Sequence, residues 1–348
     1  MLFKIGIDLG YANTTLIGTA TADIIRQPSV ITVDNVTHRM VSLGDEAMEI
    51  AMNTEDGEAL LLRPFRYGML HSSDNTQDII RAILKRVRRP ADTKIRAIIG
   101  VPANFTAGQE RHLFSIMQDC DIAECYAVKR AYSAMIGSGY APDTSCLSVN
   151  IGALNTEICL VHKGKVVFNR TEEIGGENFD KAVQKYILEQ GEVSVTLAVA
   201  RAIKERIGAV WHGREAQSIS ISGVLALTGN TINMSISTED ILGVFEEPVS
   251  KVILAVANAV KSIPYDMVDD VFENGIVISG GGACLYGMSK MLQNVLGVKV
   301  SLSQNATDAV QRGFVKIHSY LPERMRSNCK DITTSVLKYY TKIKSKKQ

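Results

Sequence analysis

Short apolar runs alternate with amphipathic stretches along almost the whole 348-residue chain. Residues 2–9 (LFKIGIDL) are nearly all apolar and are broken by Gly10, which predicts a buried strand; residues 14–19 follow at hairpin distance. Further short strands are expected at 29–33 and around 40–43. Over 76–87 the period lengthens, and Ile79, Ile80, Ile83, Leu84 and Val87 fall on one side of a helix. Residues 95–101 are again a continuous apolar strand, closed by Pro102. Helices are expected at 107–119 and 131–138, a strand–turn–strand unit at 146–161, and helices at 179–189 and 197–207. Residues 217–236 alternate as β structure. Residues 238–262 read as one long amphipathic helix, opened by Ser237/Thr238 ahead of Glu239 and Asp240. A strand at 275–279 runs into Gly280-Gly281-Gly282, and a helix is expected at 285–296. Strands alternating with helices throughout predict α/β layers.

Composition bounds this picture. The 46% hydrophobic content supports a substantial core, and the length suggests two domains or one large α/β unit. Lys and Arg number 38 against 37 for Asp and Glu, so the chain has no charge excess to steer nucleic acid or acidic substrates. Aromatic and basic residues do not interleave on any expected sheet face, so a nucleic-acid partner is not expected. Charge is uneven locally: Lys85, Arg86, Arg88 and Arg89 form one basic run, and Lys338, Lys342, Lys344, Lys346 and Lys347 form another. The six cysteines show no metal-ligand spacing and read as small core residues in a reduced interior. No cleavable signal precedes the first strand, and no window reaches the roughly 18–20 apolar residues of a spanning helix. A cytoplasmic protein is expected.

An internal echo carries more information. IGIDLGYANTTLIG from Ile5 can be laid on LSVNIGALNTEICL from Leu147, so that Asp8 meets Asn150, Gly10 meets Gly152, Asn13 meets Asn155 and Thr14 meets Thr156. Both segments read as strand, glycine turn, strand. Two such hairpins facing each other across a cleft would clamp a phosphate, since glycine admits close backbone approach and turn amides point at an oxyanion. Asp8, ending the first strand, would hold a hydrated Mg²⁺, which keeps waters and takes one or two carboxylates plus phosphate. Taken alone, Gly280–Gly282 also suits a plain strand-to-helix connection, Gly175-Gly176 a plain turn, and Lys204 a solvated surface charge.

GIDLGYANT resembles the first phosphate motif of the actin, sugar kinase and DnaK-type chaperone superfamily, and the whole chain is most similar to MreB-type bacterial actins. The resemblance runs through Pro28-Ser29-Val30, Leu62-Arg63-Pro64 with Gly68, Val101-Pro102, and Ala134, Ile136, Gly137 and Gly139. It continues through Gly175-Gly176-Glu177-Asn178-Phe179-Asp180, Glu247-Pro248-Val249 and Gly275 to Ala283. It implies an actin-like fold, two lobes each with a mixed β-sheet and helices, in four subdomains around a nucleotide cleft. Subdomain IA would take 1–31, 67–141 and 310–348, IB 32–66, IIA 142–178 and 246–309, and IIB 179–245. It also implies ATP or ADP with Mg²⁺ as ligands. Asp8 (metal, through water), Gly10, Tyr11, Ala12 and Asn13, with Gly152, Asn155 and Thr156, would line the phosphates. Gly175, Gly176 and Glu177 would hold the ribose, Lys204 would lie along the adenine, and Gly280, Gly281, Gly282 and Ala283 would carry the adenosine and α-phosphate.

Several positions depart from the family pattern. Tyr11 stands where a Thr is usual. The second phosphate motif reads Asn150-Ile151-Gly152-Ala153-Leu154-Asn155-Thr156 in place of Asp-Ile-Gly-Gly-Gly-Thr-Thr. Lys129-Arg130 replaces a pair of glutamates, one of which orients the attacking water, and Tyr67 replaces an acidic residue. Loss of such a group typically costs about 10²–10⁴ in rate, so ATP binding without efficient hydrolysis is expected, with Lys129 or Arg130 neutralising the γ-phosphate. The resemblance implies head-to-tail filaments of the chain itself, MreB paralogues as partners, and a cell-shape or related cytoskeletal role. The basic loop at 86–94 and the Lys-rich tail suit either an anionic membrane surface, at the inner face of the cell membrane, or plain solvation as loop and disordered tail. Two alternatives stay open: a sugar or metabolite kinase of the same superfamily, and a non-polymerising regulator of a canonical MreB.

Overall fold

A computed structural model describes residues 2–53, 59–66, 69–70, 73–88, 93–323, 325 and 330–346. Tyr67, Gly68, Lys347 and residues 89–92 of the basic loop lie outside them. The chain divides into two compact units: Met1–Thr144 with Val161–Arg170 and Asp308–Gln348, and Ser145–Leu160 with Thr171–Thr307.

The first large sheet has five strands in the order Ile122–Lys129, Lys94–Val101, Leu2–Leu9, Asn13–Gly18, Ile24–Pro28. The first three run parallel, and the last two continue as an antiparallel meander. Ile5, Ile7, Ile99 and Val101 are almost completely buried, which explains why their segments read as unbroken apolar runs. The second large sheet has the order Val300–Leu302, Ile276–Ser279, Cys146–Ile151, Thr156–His162, Lys165–Glu172. Its strand order repeats that of the first, with two parallel strands added on one side of the leading hairpin strand. Each unit also carries a three-stranded sheet. One is Met40–Leu43, Ile31–Asp34, Ala59–Leu62; the other is Val193–Ser194, Ser218–Leu225, Thr231–Ser237.

Several expectations need correction. Residues 238–262 are two helices, Thr238–Leu242 and Glu246–Lys261. Gly243 closes the first, and the break lets Phe245 turn inward onto Phe179, with ring centroids 5.5 Å apart. The helix expected from 285 starts at Met288, because Gly287 at φ +85° interrupts the chain there. The strand Ile122–Lys129 carries no clean alternation, having Glu124 and Lys129 among buried neighbours, and only its place beside Lys94–Val101 reveals it. The Lys-rich tail is a helix, Val336–Lys344, in which Lys344 pairs with Asp143 at 3.2 Å. Cys120, Cys146, Cys159 and Cys284 are free thiols, and burial pushes the first two up to about 11 and about 12; Cys125 is disulfide-bonded, unlike the all-thiol reading.

The helices Arg130–Gly137 and Ala309–Tyr320 pack in backbone contact. A Cβ on Gly137 would lie 1.8 Å from the Ala309 carbonyl oxygen, and one on Gly313 would lie 2.0 Å from that of Ser133. This contact seats the first residue of the Arg130 helix against the sheet. Gly137→Ala and Gly313→Ala are each expected to destabilise the protein by about 3 kcal/mol or more, read as a fall in the denaturation midpoint. His318, on the second helix, is buried and donates from Nε2 to the Ile5 carbonyl at 2.8 Å. Burial pushes its imidazole down from 6.5 to about 4. The unfolded chain therefore binds the extra proton between those values. Stability is full above pH 6.5 and falls by roughly 3 kcal/mol as the pH drops toward 4; His318→Asn is expected to flatten that slope in denaturant titrations.

Candidate functional site

Both glycine turns adopt the same backbone pattern. In the first unit the Gly10 amide donates to the Asn13 carbonyl at 3.2 Å; in the second, Gly152 donates to Asn155 at 2.8 Å. A Cβ at Gly10 would meet the Asn13 oxygen at 2.7 Å, and one at Gly152 would meet the Asn155 oxygen at 3.0 Å. The echo in the sequence is thus an echo in structure, and the same close approach favours glycine in each turn, more tightly at Gly10 than at Gly152.

In the first unit the turn Gly10–Asn13 leaves the end of Leu2–Leu9 and enters Asn13–Gly18. The Ser29 amide donates to the Ala12 carbonyl at 2.9 Å and anchors the turn from outside. Tyr11 is accommodated because Arg63 takes its ring: the guanidinium sits 5.0 Å from the ring centroid and donates to the Tyr11 carbonyl at 3.3 Å. Arg63, part of the Leu62-Arg63-Pro64 motif, therefore steadies the turn. Asp8 sits one residue ahead of Leu9, facing Gly100 on one neighbour strand and Thr15 on the other.

The two cations that replace the family's glutamates go different ways. Lys129 Nζ donates to the carbonyls of Pro102 and Ala103, both at 3.0 Å, and pairs with Asp331 at 3.5 Å. Its backbone amide donates to the Thr333 hydroxyl at 2.9 Å, so Lys129 fastens the segment 330–333 beside Ile122–Lys129. Arg130 turns to the glycine turn. Its Nε donates to Asp8 Oδ1 at 2.6 Å and its NH2 to the Leu9 carbonyl at 3.1 Å, with both side chains largely buried. Gln311 adds a contact to Asp8 Oδ2 at 3.4 Å and a hydrogen bond to the Thr15 hydroxyl at 2.6 Å. Gln311 has no counterpart among the expected site residues; nothing in a helical pattern flags one buried amide.

In the second unit the expected residues come together. The helix Gly176–Gly191 begins against the turn, with the Gly176 and Glu177 amides donating to the carbonyls of Gly152 and Ala153 at 2.9 and 2.8 Å. Gly175 has to be glycine for this, since a Cβ there would lie 2.6 Å from the Ala153 oxygen. Lys204 is no solvated charge: Nζ donates to the Gly176 carbonyl at 3.1 Å and pairs with buried Asp180 at 2.6 Å. Glu177 pairs with Lys181 at 2.9 Å. Thr156 donates to the Ile174 carbonyl at 2.8 Å from a fully buried position, which makes it part of the scaffold. Asn150 accepts from the Ser279 hydroxyl at 3.2 Å across the parallel pair of strands. Gly280 follows at φ +85°, and a Cβ there would meet the Ile151 carbonyl at 2.3 Å, so the strand end can lie against its neighbour only without a side chain. A Cβ on Gly281 would meet nothing within 4 Å, and Ala283 is buried beneath.

As a seat for Mg²⁺ these residues fit poorly. Asp8 is already engaged by a guanidinium, and the resulting ion pair carries no net charge to attract a dication. Asn150 brings no charge. Among the described residues no cluster of three or more His, Cys, Asp or Glu side chains is placed to hold a metal.

A duplicated sheet topology with matching glycine turns is that of an actin-fold protein. The chain belongs to the MreB/Mbl family, whose model matches residues 3–326. It is 26% identical over 320 residues to the cell shape-determining protein MreB of Escherichia coli K12, covering 89% of this chain and 91% of that one. Among solved structures it is similar to MreB 5 of Spiroplasma citri bound to AMPPNP, with a TM-score of 0.85 and 22% identity over 91% of this chain and 96% of the other. It is also similar to MamK in a double helical filament, with a TM-score of 0.76 and 22% identity over 92% and 100%. As an MreB-like protein it is a member of the actin-type bacterial cytoskeleton.

Truncating Arg130 leaves the part-buried Asp8 carboxylate without its ion partner. Arg130→Ala is expected to cost about 3–5 kcal/mol of unfolding free energy, and adding Asp8→Asn is expected to recover most of that loss, measured as a double-mutant cycle in urea.

Proposed function

We propose that this chain is an ATP-binding cytoskeletal subunit that assembles head to tail and hydrolyses its nucleotide slowly or not at all. The observation that carries the reading is the Lys129-Arg130 pair, two cations where the family pattern places two glutamates, one of them water-orienting; Arg130 is tied to Asp8 and Lys129 to Asp331. A guanidinium cannot accept a proton from water, and losing the orienting group typically costs about 10²–10⁴ in rate. The matched turns support phosphate binding by backbone amides around Gly10–Asn13 and Gly152–Asn155. In the second unit, Gly175, Gly176 and Glu177 would hold the ribose and Gly280, Gly281 and Gly282 the adenosine; Lys204 would border the base from its anchor on Asp180. The neighbour bound to AMPPNP supports an adenine nucleotide, and the neighbour solved as a double helical filament supports self-association. The small three-stranded sheet in each unit supports a division into four subdomains, with 32–66 and 179–245 as the lesser two.

The cytoplasm is the expected location, and other MreB-type subunits are the expected partners besides copies of this chain. Among the described residues no helix is long and apolar enough to cross a membrane. The basic face of Val336–Lys344 would supply any attraction to an anionic inner leaflet. A sugar-kinase reading needs a carboxylate free to deprotonate a substrate hydroxyl, and the candidate, Asp8, is paired with Arg130.

Sedimentation and phosphate release from one sample test this. ATP or AMPPNP is expected to drive the purified chain into the pellet while phosphate release stays near background. Turnover equal to that of the E. coli relative would overturn the hydrolysis claim, and a chain that never pellets would favour the non-polymerising regulator.

A further inference from the structure

We propose that this chain binds its nucleotide without a divalent cation, because the Arg130 guanidinium takes the place on Asp8 that a hydrated magnesium ion would need. The inference rests on the nucleotide-binding reading above and deepens it.

Mg²⁺ binds hard oxygen ligands in an octahedron, and in nucleotide sites it keeps several waters while leaning on one or two carboxylates and the phosphates. The carboxylate must therefore have a lone pair directed at open space. Asp8 offers little of this. Its Oδ1 is 2.6 Å from Arg130 Nε, and its Oδ2 faces Gln311 Nε2 at 3.4 Å. Only 14% of its side chain is exposed, against 10% for Arg130.

The pair is built into the sheet. Gly100, beside Asp8 on the parallel neighbour, leaves room for it: a Cβ there would lie 3.0 Å from Asp8 Oδ1 and 3.2 Å from Arg130 Cγ. Arg130 also holds the Leu9 carbonyl at 3.1 Å, which fixes the guanidinium at the residue preceding the Gly10 turn. The Arg130 backbone is held as well, since the helix it opens packs through Gly137 and Gly313 against its partner helix. The substitutions agree with one another. Asn150, which meets Asp8 in the internal repeat, has given up its charge and accepts a hydrogen bond from Ser279. Arginine brings a charge that is never lost near neutral pH, and donors that suit phosphate oxygens.

The test is calorimetric titration of ATP into the full chain, once with excess MgCl₂ and once with EDTA. The two dissociation constants are expected to agree within about threefold, whereas a magnesium-bridged site would lose tenfold or more on chelation. In parallel, MnCl₂ added to the chain with excess AMPPNP is followed by electron paramagnetic resonance. The spectrum is expected to match that of Mn²⁺ with AMPPNP alone, with no protein-bound species. Arg130→Gln is expected to release Asp8 and to make ATP affinity magnesium-dependent. If that variant fails to fold, the wild-type titrations still decide the matter. ATP binding that appears only with Mg²⁺ overturns this inference and leaves the nucleotide reading intact. No ATP binding in either buffer overturns the nucleotide reading and takes this inference with it.

Discussion

The ion pair between Asp8 and Arg130 is the contact around which the first unit is organised. A part-buried charge at a strand end is held by an opposite charge and by hydrogen bonds. Arg130 supplies the charge, Gln311 a polar contact, and Gly100 the space. Each comes from a different element, so the ion pair ties the Leu2–Leu9 strand to the Arg130 helix, while Gln311 brings in the helix Ala309–Tyr320. The close helix packing at Gly137 and Gly313 is the mechanical side of the same arrangement, because it sets where Arg130 begins.

The second unit answers the equivalent problem by removing it. With Asn150 in place of an acid, a neutral hydrogen bond to Ser279 suffices, and the strand ends close together over Gly280. Its glycine turn is held from below by the Gly176–Gly191 helix, whose first amides are satisfied by the turn carbonyls. Lys204 and Arg201 then neutralise Asp180 at the base of that helix. The two turns keep one backbone geometry while the residues at their strand ends have diverged, an ion pair at Asp8 and a neutral hydrogen bond at Asn150. Thr156 and Lys204 both hold backbone carbonyls in this unit, those of Ile174 and Gly176.

Lys129 and Arg130 show how neighbouring charges acquire separate duties. Adjacent residues at a strand-to-helix junction point in different directions, so the first reaches the segment 330–333 and the second reaches Asp8. The first contact also shields part of the edge of Ile122–Lys129, where the Ile332 amide donates to the Ala127 carbonyl at 2.9 Å. An exposed edge with unpaired groups invites unwanted strand addition, and the chain's own C-terminal segment covers this stretch.

The α/β class, the buried strands around Ile5–Leu9 and 95–101, and the two related glycine turns are legible in the residues alone. These signals are local: apolar runs and glycine are dictated by burial and by steric approach at the position itself. The sequence also marked which family positions had changed. The strand at Ile122–Lys129 was illegible because its burial comes from its neighbours, and the helix break at Gly243–Phe245 because it depends on Phe179, far away in the chain. The choice between Lys129 and Arg130 was open for the same reason. Both are cations of similar reach, and only the direction each leaves the strand end, set by tertiary packing, brings one of them to Asp8.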